Sequence, residues 1–342
     1  MSPESTLMFV EASEAGRVVS RQIAANQDRV RDWAVELRHR PPGTILTCAR
    51  GSSDHAATFA KYLIETRTGR VVASAAPSVS SIYRSAQQLD GMLCLAISQS
   101  GRSPDLVEML RAAAASGART AALVNATDSP LAECAERVLP LFAGEEKAVA
   151  ATKSYIASLS AIIQLVAAWT CDEAMARALE AAPERLDQAW RLDWSPLVDR
   201  LVEAEGLYVL GRGLGLGIAA EAALKLKETC GLHAEAFSVA EVRHGPIALA
   251  GRGFPLLVFC QSDETRDGVA AFAAEAAERG ADVFIAGGSA GRATRLPTIA
   301  THPAVEPMLQ VLSFYRAANA VSVERGLDPD VPPRLAKVTE TL

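Results

Sequence analysis

Leu93-Cys94-Leu95-Ala96-Ile97-Ser98-Gln99-Ser100 is an aliphatic run that stops at three polar residues, and Pro255-Leu256-Leu257-Val258-Phe259-Cys260-Gln261-Ser262 repeats its form 162 positions later. An apolar run of this length without polar alternation reads as a strand buried on both faces. A second pair precedes it. Thr44-Ile45-Leu46-Thr47-Cys48-Ala49-Arg50-Gly51 and Leu207-Tyr208-Val209-Leu210-Gly211-Arg212-Gly213 are strands closed by Arg-Gly, and the closing glycines again lie 162 positions apart. Both copies continue into an Ala-rich helical stretch that closes at Gly117 or Gly280 and leads into Thr120–Val124 or Asp282–Ala286. Two strand–helix–strand modules in tandem predict an α/β fold with parallel sheets, helices on both faces and right-handed crossovers.

The rest of the chain fits around these modules. Val18, Val19, Ile23, Val30, Trp33 and Leu37 have helical spacing, so residues 1–37 are expected to form a helical arm. Residues 38–195 form the first module, with a helical stretch from about Thr152 to Arg191 and a join at Pro183, Trp194, Ser195 and Pro196. Residues 196–325 form the second. The proline-rich tail 326–342 reads as an extended strap.

Composition narrows the function. Hydrophobic residues make up 49% of the chain and aromatics only 5%, so the core is aliphatic, as suits buried parallel strands. A formal net charge of −6 without a long Lys/Arg run argues against nucleic acid, whose phosphates call for a basic face. Six cysteines at wide, irregular spacing, with no CxxC or CxxH pair, suggest neither a zinc site nor a disulfide framework. Buried reduced thiols are expected. Met1–Arg21 does not read as a signal peptide, and Ile156–Thr170 is too short for a membrane span, so a cytoplasmic protein is expected.

Ligands of open parallel sheets gather beyond the carboxyl ends of the strands. Two serine-rich loops stand there in the first module: Gly51-Ser52-Ser53 and Ser98-Gln99-Ser100-Gly101-Arg102-Ser103. Ser103 suits a helix cap and Pro104 its first turn, so hydroxyls and backbone N–H groups face a helix start, a cradle for an anion. The second copy carries Asp263 in place of Gly101, and a carboxylate there repels phosphate. Only the first module is therefore expected to bind the anion. In the second, Glu221, Lys225 and Glu228 share one helix face; an exposed salt-bridge ladder fits the same spacing. His244 precedes Gly245-Pro246, a rigid turn suited to display.

Six ordered motifs carry a family resemblance: Ser98-Gln99-Ser100-Gly101, Val149-Ala150-Ala151-Thr152-Lys153, Ala223-Leu224-Lys225-Leu226-Lys227-Glu228, His233-Ala234-Glu235-Ala236, Arg243-His244-Gly245-Pro246 and Leu335-Ala336-Lys337. From about residue 8 to 342 the chain resembles the isomerase half of glucosamine-6-phosphate synthase, a tandem of sugar-isomerase (SIS) domains. The resemblance implies two flavodoxin-like domains, each a five-stranded parallel sheet with helices on both faces, in a homodimer. It makes Gly51, Ser52, Ser53, Ser98, Gln99, Ser100 and Ser103 holders of a sugar phosphate, with Lys225, Val149 and Ala150 as further contacts. Glu228 resembles the base that moves a proton between C1 and C2. His244 resembles the ring-opening histidine, reaching in from the neighbouring subunit, and Lys337 the lysine that forms a Schiff base with the keto sugar. No metal or cofactor is implied.

Two departures shape the expected reaction. The glutaminase half is expected to have no counterpart, since the sequence opens at Met1-Ser2. The loop Gly101-Arg102-Ser103-Pro104-Asp105 differs from the acidic residue and threonine of the synthase; it is similar to the stand-alone SIS deaminases, as is Thr6-Leu7-Met8-Phe9. The expectation is a deaminase that converts glucosamine 6-phosphate to fructose 6-phosphate and ammonia. The alternatives are a related sugar-phosphate isomerase, an ammonia-dependent synthase of aminotransferase type, a fructosyl-amine 6-phosphate deglycase, or a non-catalytic sugar-phosphate sensor.

Overall fold

Every strand read from the repeat forms. The structure, a computed structural model, describes residues 1–337. Thr44–Cys48 (β1), Val71–Ser74 (β2), Leu93–Ser98 (β3), Arg119–Val124 (β4) and Arg137–Pro140 (β5) make one all-parallel sheet in the order β2-β1-β3-β4-β5. Gly206–Gly211 (β6), His233–Ser238 (β7), Pro255–Phe259 (β8), Asp282–Ala286 (β9) and Thr294–Leu296 (β10) make a second, ordered β7-β6-β8-β9-β10, also parallel throughout. Both orders are the flavodoxin-like 2-1-3-4-5. The helices that bear on the site and its supports are Leu7–Ser13 (α1), Ala15–His39 (α2), Ser52–Thr68 (α3), Pro104–Ala115 (α4), Lys153–Thr170 (α5), Leu214–Cys230 (α6), Arg266–Glu278 (α7) and Glu306–Glu324 (α8).

The repeat is conformational as well as sequential. Gly51 starts α3 at φ 55°, ψ −133°, and Gly213 starts α6 at φ 58°, ψ −127°. A side chain strains at such angles, so glycine is required at both strand-to-helix turns. β3 and β8 are buried at every residue, as their unbroken apolar runs demand. Each sheet has its own aliphatic core. Leu46, Cys94, Ala96, Leu110 and Ala122 cluster in the first, and Leu210, Leu256, Val258, Phe272 and Ile285 in the second.

The chain forms two compact units. One comprises Arg17–Glu146 and Ser154–Glu180, with Ala336 and Lys337, and contains the first sheet. The other comprises Met1–Gly16, Lys147–Lys153 and Ala181–Leu335, and contains the second. In the first, Gln22 of α2 is fully buried and its amide donates to Leu141 O and Ala157 O, fastening that helix to the loop after β5 and to α5. In the second, Leu7 N and Met8 N at the start of α1 donate to Asp330 of the tail. Residues 326–337 form neither helix nor strand.

All six cysteines are unpaired. Cys48, Cys94, Cys230 and Cys260 are buried as expected, and burial pushes the Cys94 thiol up to about 12 and Cys230 and Cys260 to about 11. Cys171 is exposed, in the left-handed turn just beyond α5, where the chain must leave the helix. Among the described residues no helix is long and apolar enough to cross a membrane.

Candidate functional site

β1 and β3 are neighbours at the point where the strand order of the first sheet reverses, and both serine loops leave their carboxyl ends. Gly51, Ser52 and Ser53 open α3, while Ser98 to Ser103 lead into α4. The second loop is folded by its own hydroxyls: Gly101 N donates to Ser98 Oγ at 2.9 Å and Arg102 N to Ser100 Oγ at 3.3 Å. Gly101 sits at φ 63°, and a Cβ there would lie 2.1 Å from Ser129 Oγ, so the loop closes only around glycine. Ser98 is buried, whereas Ser52, Ser53, Gln99 and Ser100 are half-buried.

Ser103 stands at the N-cap of α4 with Pro104 behind it, but its hydroxyl makes no capping hydrogen bond, which corrects the expected side-chain cap. Its ψ of 117° is extended as a cap requires, so the backbone turns without the side chain. Asp105 works in the first turn instead. Its side chain is fully buried; Oδ1 accepts from Leu106 N at 2.9 Å, and Oδ2 accepts from Arg50 Nε at 2.8 Å and lies 2.8 Å from Arg50 Nη2.

The matching loop of the second sheet is filled by its own side chains. Gln261 Nε2 lies within hydrogen-bond distance of Arg212 O at 2.7 Å, Asp263 Oδ2 at 2.8 Å and Thr265 Oγ1 at 3.1 Å. Asp263 Oδ1 accepts from Thr265 N at 2.9 Å. Ser262, the counterpart of Ser100, donates both N–H (2.7 Å) and hydroxyl (2.9 Å) to the carboxylate of Glu306. Two carboxylates therefore occupy the donors that an incoming anion would need.

The carboxylate–lysine face of α6 is no exposed ladder. The Glu221 and Lys225 side chains are 0% and 1% exposed, and only Glu228, at 21%, reaches solvent. Lys225 Nζ donates to Glu228 Oε2 at 2.5 Å and lies 3.5 Å from Glu221 Oε1, which accepts from Tyr315 Oη of α8 at 2.9 Å. Burial opposes the charge on Lys225, but the two carboxylates outweigh it and hold the amine above its ordinary pKa. A phenol, a carboxylate and an ammonium thus line up behind one partly exposed carboxylate.

The remaining residues lie apart from this chain of bonds. His244 is exposed in the tight turn Glu241–His244 before Gly245, and joins none of its hydrogen bonds. Ala150 is buried, and Val149 donates its N–H to Asp330 O at 3.2 Å. Lys337, in the unit of the first sheet, lies 3.7 Å from Glu146 Oε2. Glu146 has a fully buried side chain and accepts from Ser154 N at 3.2 Å and Ser154 Oγ at 2.5 Å. Glu146 and Tyr315 went unread in the sequence, and Asp105 was read only as the end of the loop after Gly101. Asp105 sits beside the cradle motif and Glu146 three residues before Val149, which were usable signals; Tyr315 lies in a plain apolar helix and gave none.

A SIS domain model matches residues 39–168 and 200–300, one stretch on each sheet. The chain belongs to the SIS domain family. Among curated proteins, glutamine–fructose-6-phosphate aminotransferase (isomerizing) of Methanothermobacter thermautotrophicus is 36% identical over 303 residues, covering 86% of this chain and 51% of that protein. The chain thus spans about half the length of the curated relatives it matches. Among solved structures, a candidate phosphosugar isomerase from Silicibacter pomeroyi DSS-3 superposes with a TM-score of 0.92 at 42% identity, over 95% of this chain and 100% of that one. The C-terminal domain of glucosamine-fructose-6-phosphate aminotransferase from Francisella tularensis gives 0.86 at 26% identity, over 96% and 98%. Tandem SIS domains homologous to the isomerase domain of that aminotransferase are what the sequence motifs implied.

Proposed function

We propose that this SIS protein is a sugar-phosphate enzyme of aldose–ketose type that deaminates glucosamine 6-phosphate to fructose 6-phosphate and ammonia. The observation that carries the reading is the buried Glu221–Lys225–Glu228 cluster, which leaves Glu228 as its one carboxylate in reach of solvent. A buried ion-pair cluster is weak evidence for stability, since an apolar replacement often does as well, and its retention fits a chemical task. The serine cradle supports the same reading, because it offers an anion hydroxyls and N–H groups at two helix starts.

In the reaction, His244, supplied by the partner subunit of a homodimer, opens the pyranose. Glu228 removes the C2 proton of the open-chain amino aldose and the proton returns at C1, which converts the C2 amine into a C2 imine. The Lys337 amine adds to the C2 imine and ammonia leaves, so that the keto sugar is held as a Schiff base on Lys337; water then hydrolyses that Schiff base and frees fructose 6-phosphate. General acid–base groups of this kind contribute about 10²–10⁴-fold each.

The test is purified protein with glucosamine 6-phosphate, followed by ammonia and fructose 6-phosphate. Glu228→Gln is expected to lower turnover by about 10²-fold or more. Ammonia release no faster than in that variant would sink the reading. A second reading, isomerisation of a hexose 6-phosphate without an amine, draws on the 42% identity to the candidate phosphosugar isomerase. A panel of aldose and ketose 6-phosphates separates the two.

A further inference from the structure

We propose that Arg50 is the cationic member of the anion cradle and sets its preference for a doubly charged phosphate monoester. The proposal rests on the reading of the cradle as a sugar-phosphate site. Arg50 immediately precedes Gly51 and Ser52, at the turn from β1 to α3. Its guanidinium reaches the first turn of α4, where Nε and Nη2 both lie 2.8 Å from Asp105 Oδ2. It therefore stands between the two helix starts that carry the serine loops.

The pair is lopsided. Asp105 is fully buried, while the Arg50 side chain is 51% exposed. A buried carboxylate needs its partner, so Asp105 fixes the guanidinium in one orientation. Leu106 N bonds the other carboxylate oxygen at 2.9 Å, and the start of α4 steadies its charge further. A guanidinium has five N–H donors, and Asp105 takes two, one from Nε and one from Nη2. The remaining donors belong to a side chain that is half exposed, next in sequence to Gly51 and Ser52. Ser52, Ser53, Ser98 and Ser100 offer neutral groups that read shape and hydrogen bonding, but they discriminate weakly between one negative charge and two. Arg50 supplies that discrimination, and it ties the two loops to one spacing. Arg212 occupies the equivalent position before Gly213 in the second sheet, where Asp263 and Glu306 have taken the loop donors. It provides an internal control.

Phosphate and sulfate monoesters share a tetrahedral shape, but near pH 7.5 the first carries about two charges and the second one. Binding of glucitol 6-phosphate and glucitol 6-sulfate, which have no carbonyl to react, is to be measured by calorimetry. The variants are Arg50→Met with Asp105→Asn, so that no lone buried charge remains, and Arg212→Met, each checked by thermal melting. Wild type is expected to favour the phosphate ester by about ten-fold or more, and the double variant to lose that preference. A folded double variant that keeps the preference overturns the role of Arg50, as does an equal loss in Arg212→Met. Wild type that binds both esters alike also overturns it, leaving the sugar-phosphate reading intact. Wild type that binds neither ester removes the sugar-phosphate reading itself.

Discussion

At the end of β3 the loop from Ser98 to Ser103 folds around its own hydroxyls, and the nearby carboxylate of Asp105 is paired with Arg50, whereas at the end of β8 the matching loop is occupied by Asp263 and Glu306. The two sheets share one strand order, and Gly51 and Gly213 share their angles. One duplicated scaffold thus carries two electrostatic outcomes. Donors at a helix start attract negative charge; the first loop's Gly101 and Arg102 N–H groups meet neutral hydroxyls, and the second loop's Ser262 and Thr265 N–H groups meet carboxylates. The second sheet also carries a buried charge cluster, Glu221–Lys225–Glu228, on α6.

The largest effect that sharpens this contrast lies in that cluster. Lys225→Met leaves the Glu221 carboxylate, 0% exposed, without its cation, and is expected to cost about 3–5 kcal/mol in urea unfolding. A loss under about 1 kcal/mol would show that the cluster is not held by charge. The sign with pH follows from the raised amine. Lys225 gains its partners on folding, so its contribution is full below the unfolded lysine value of about 10.4 and fades only as pH rises through the folded value. Stability from this source is expected to be flat from pH 7 to 9 and to fall at higher pH in wild type but not in Lys225→Met.

The next effect tests the loop of the first sheet. Ser100→Asp places a carboxylate among the first sheet's donors, one residue before the counterpart of Asp263, and is expected to weaken glucitol 6-phosphate binding by about a hundred-fold. Calorimetry on wild type is also expected to find one phosphate ester per chain. Two per chain would mean that the second loop is not filled as Asp263 and Glu306 indicate.

Much of this contrast was legible in the sequence, for a physical reason. Strand burial and turn geometry are local, so β3, β8, Gly51 and Gly213 could be read from runs and spacing. The replacement of Gly101 by Asp263 could also be read, because it changes charge at a repeated position. Depth was not legible: the spacing of Glu221, Lys225 and Glu228 fits an exposed ladder as well as a buried cluster, and only α8, which brings Tyr315 onto Glu221, decides between them. Glu306 was invisible for the same reason, since it reaches Ser262 from 44 residues away. Pairings such as Arg50 with Asp105 and Lys337 with Glu146 cross 55 or more positions and depend on the sheet order rather than on any local pattern.

The smallest effect separates the two carboxylates of the filled loop. Asp263 accepts from Thr265 N at 2.9 Å, from Thr265 Oγ1 at 2.5 Å and from Gln261 Nε2 at 2.8 Å. Asp263→Ala strips those acceptors, but Gln261 keeps Arg212 O at 2.7 Å and the half-buried loop admits water, so a cost of about 1–2 kcal/mol is expected. Asp263→Asn retains an acceptor oxygen and is expected to cost less. Neither variant is expected to gain a second phosphate site, because Glu306 still takes both donors of Ser262. If Asp263→Ala alone bound a second glucitol 6-phosphate, Asp263 would be the sole block and Glu306 would be displaceable. If only the pair Asp263→Ala with Glu306→Gln bound it, each carboxylate would be one half of the stopper. The second outcome is the one the hydrogen bonds support, because each carboxylate holds a different set of loop donors.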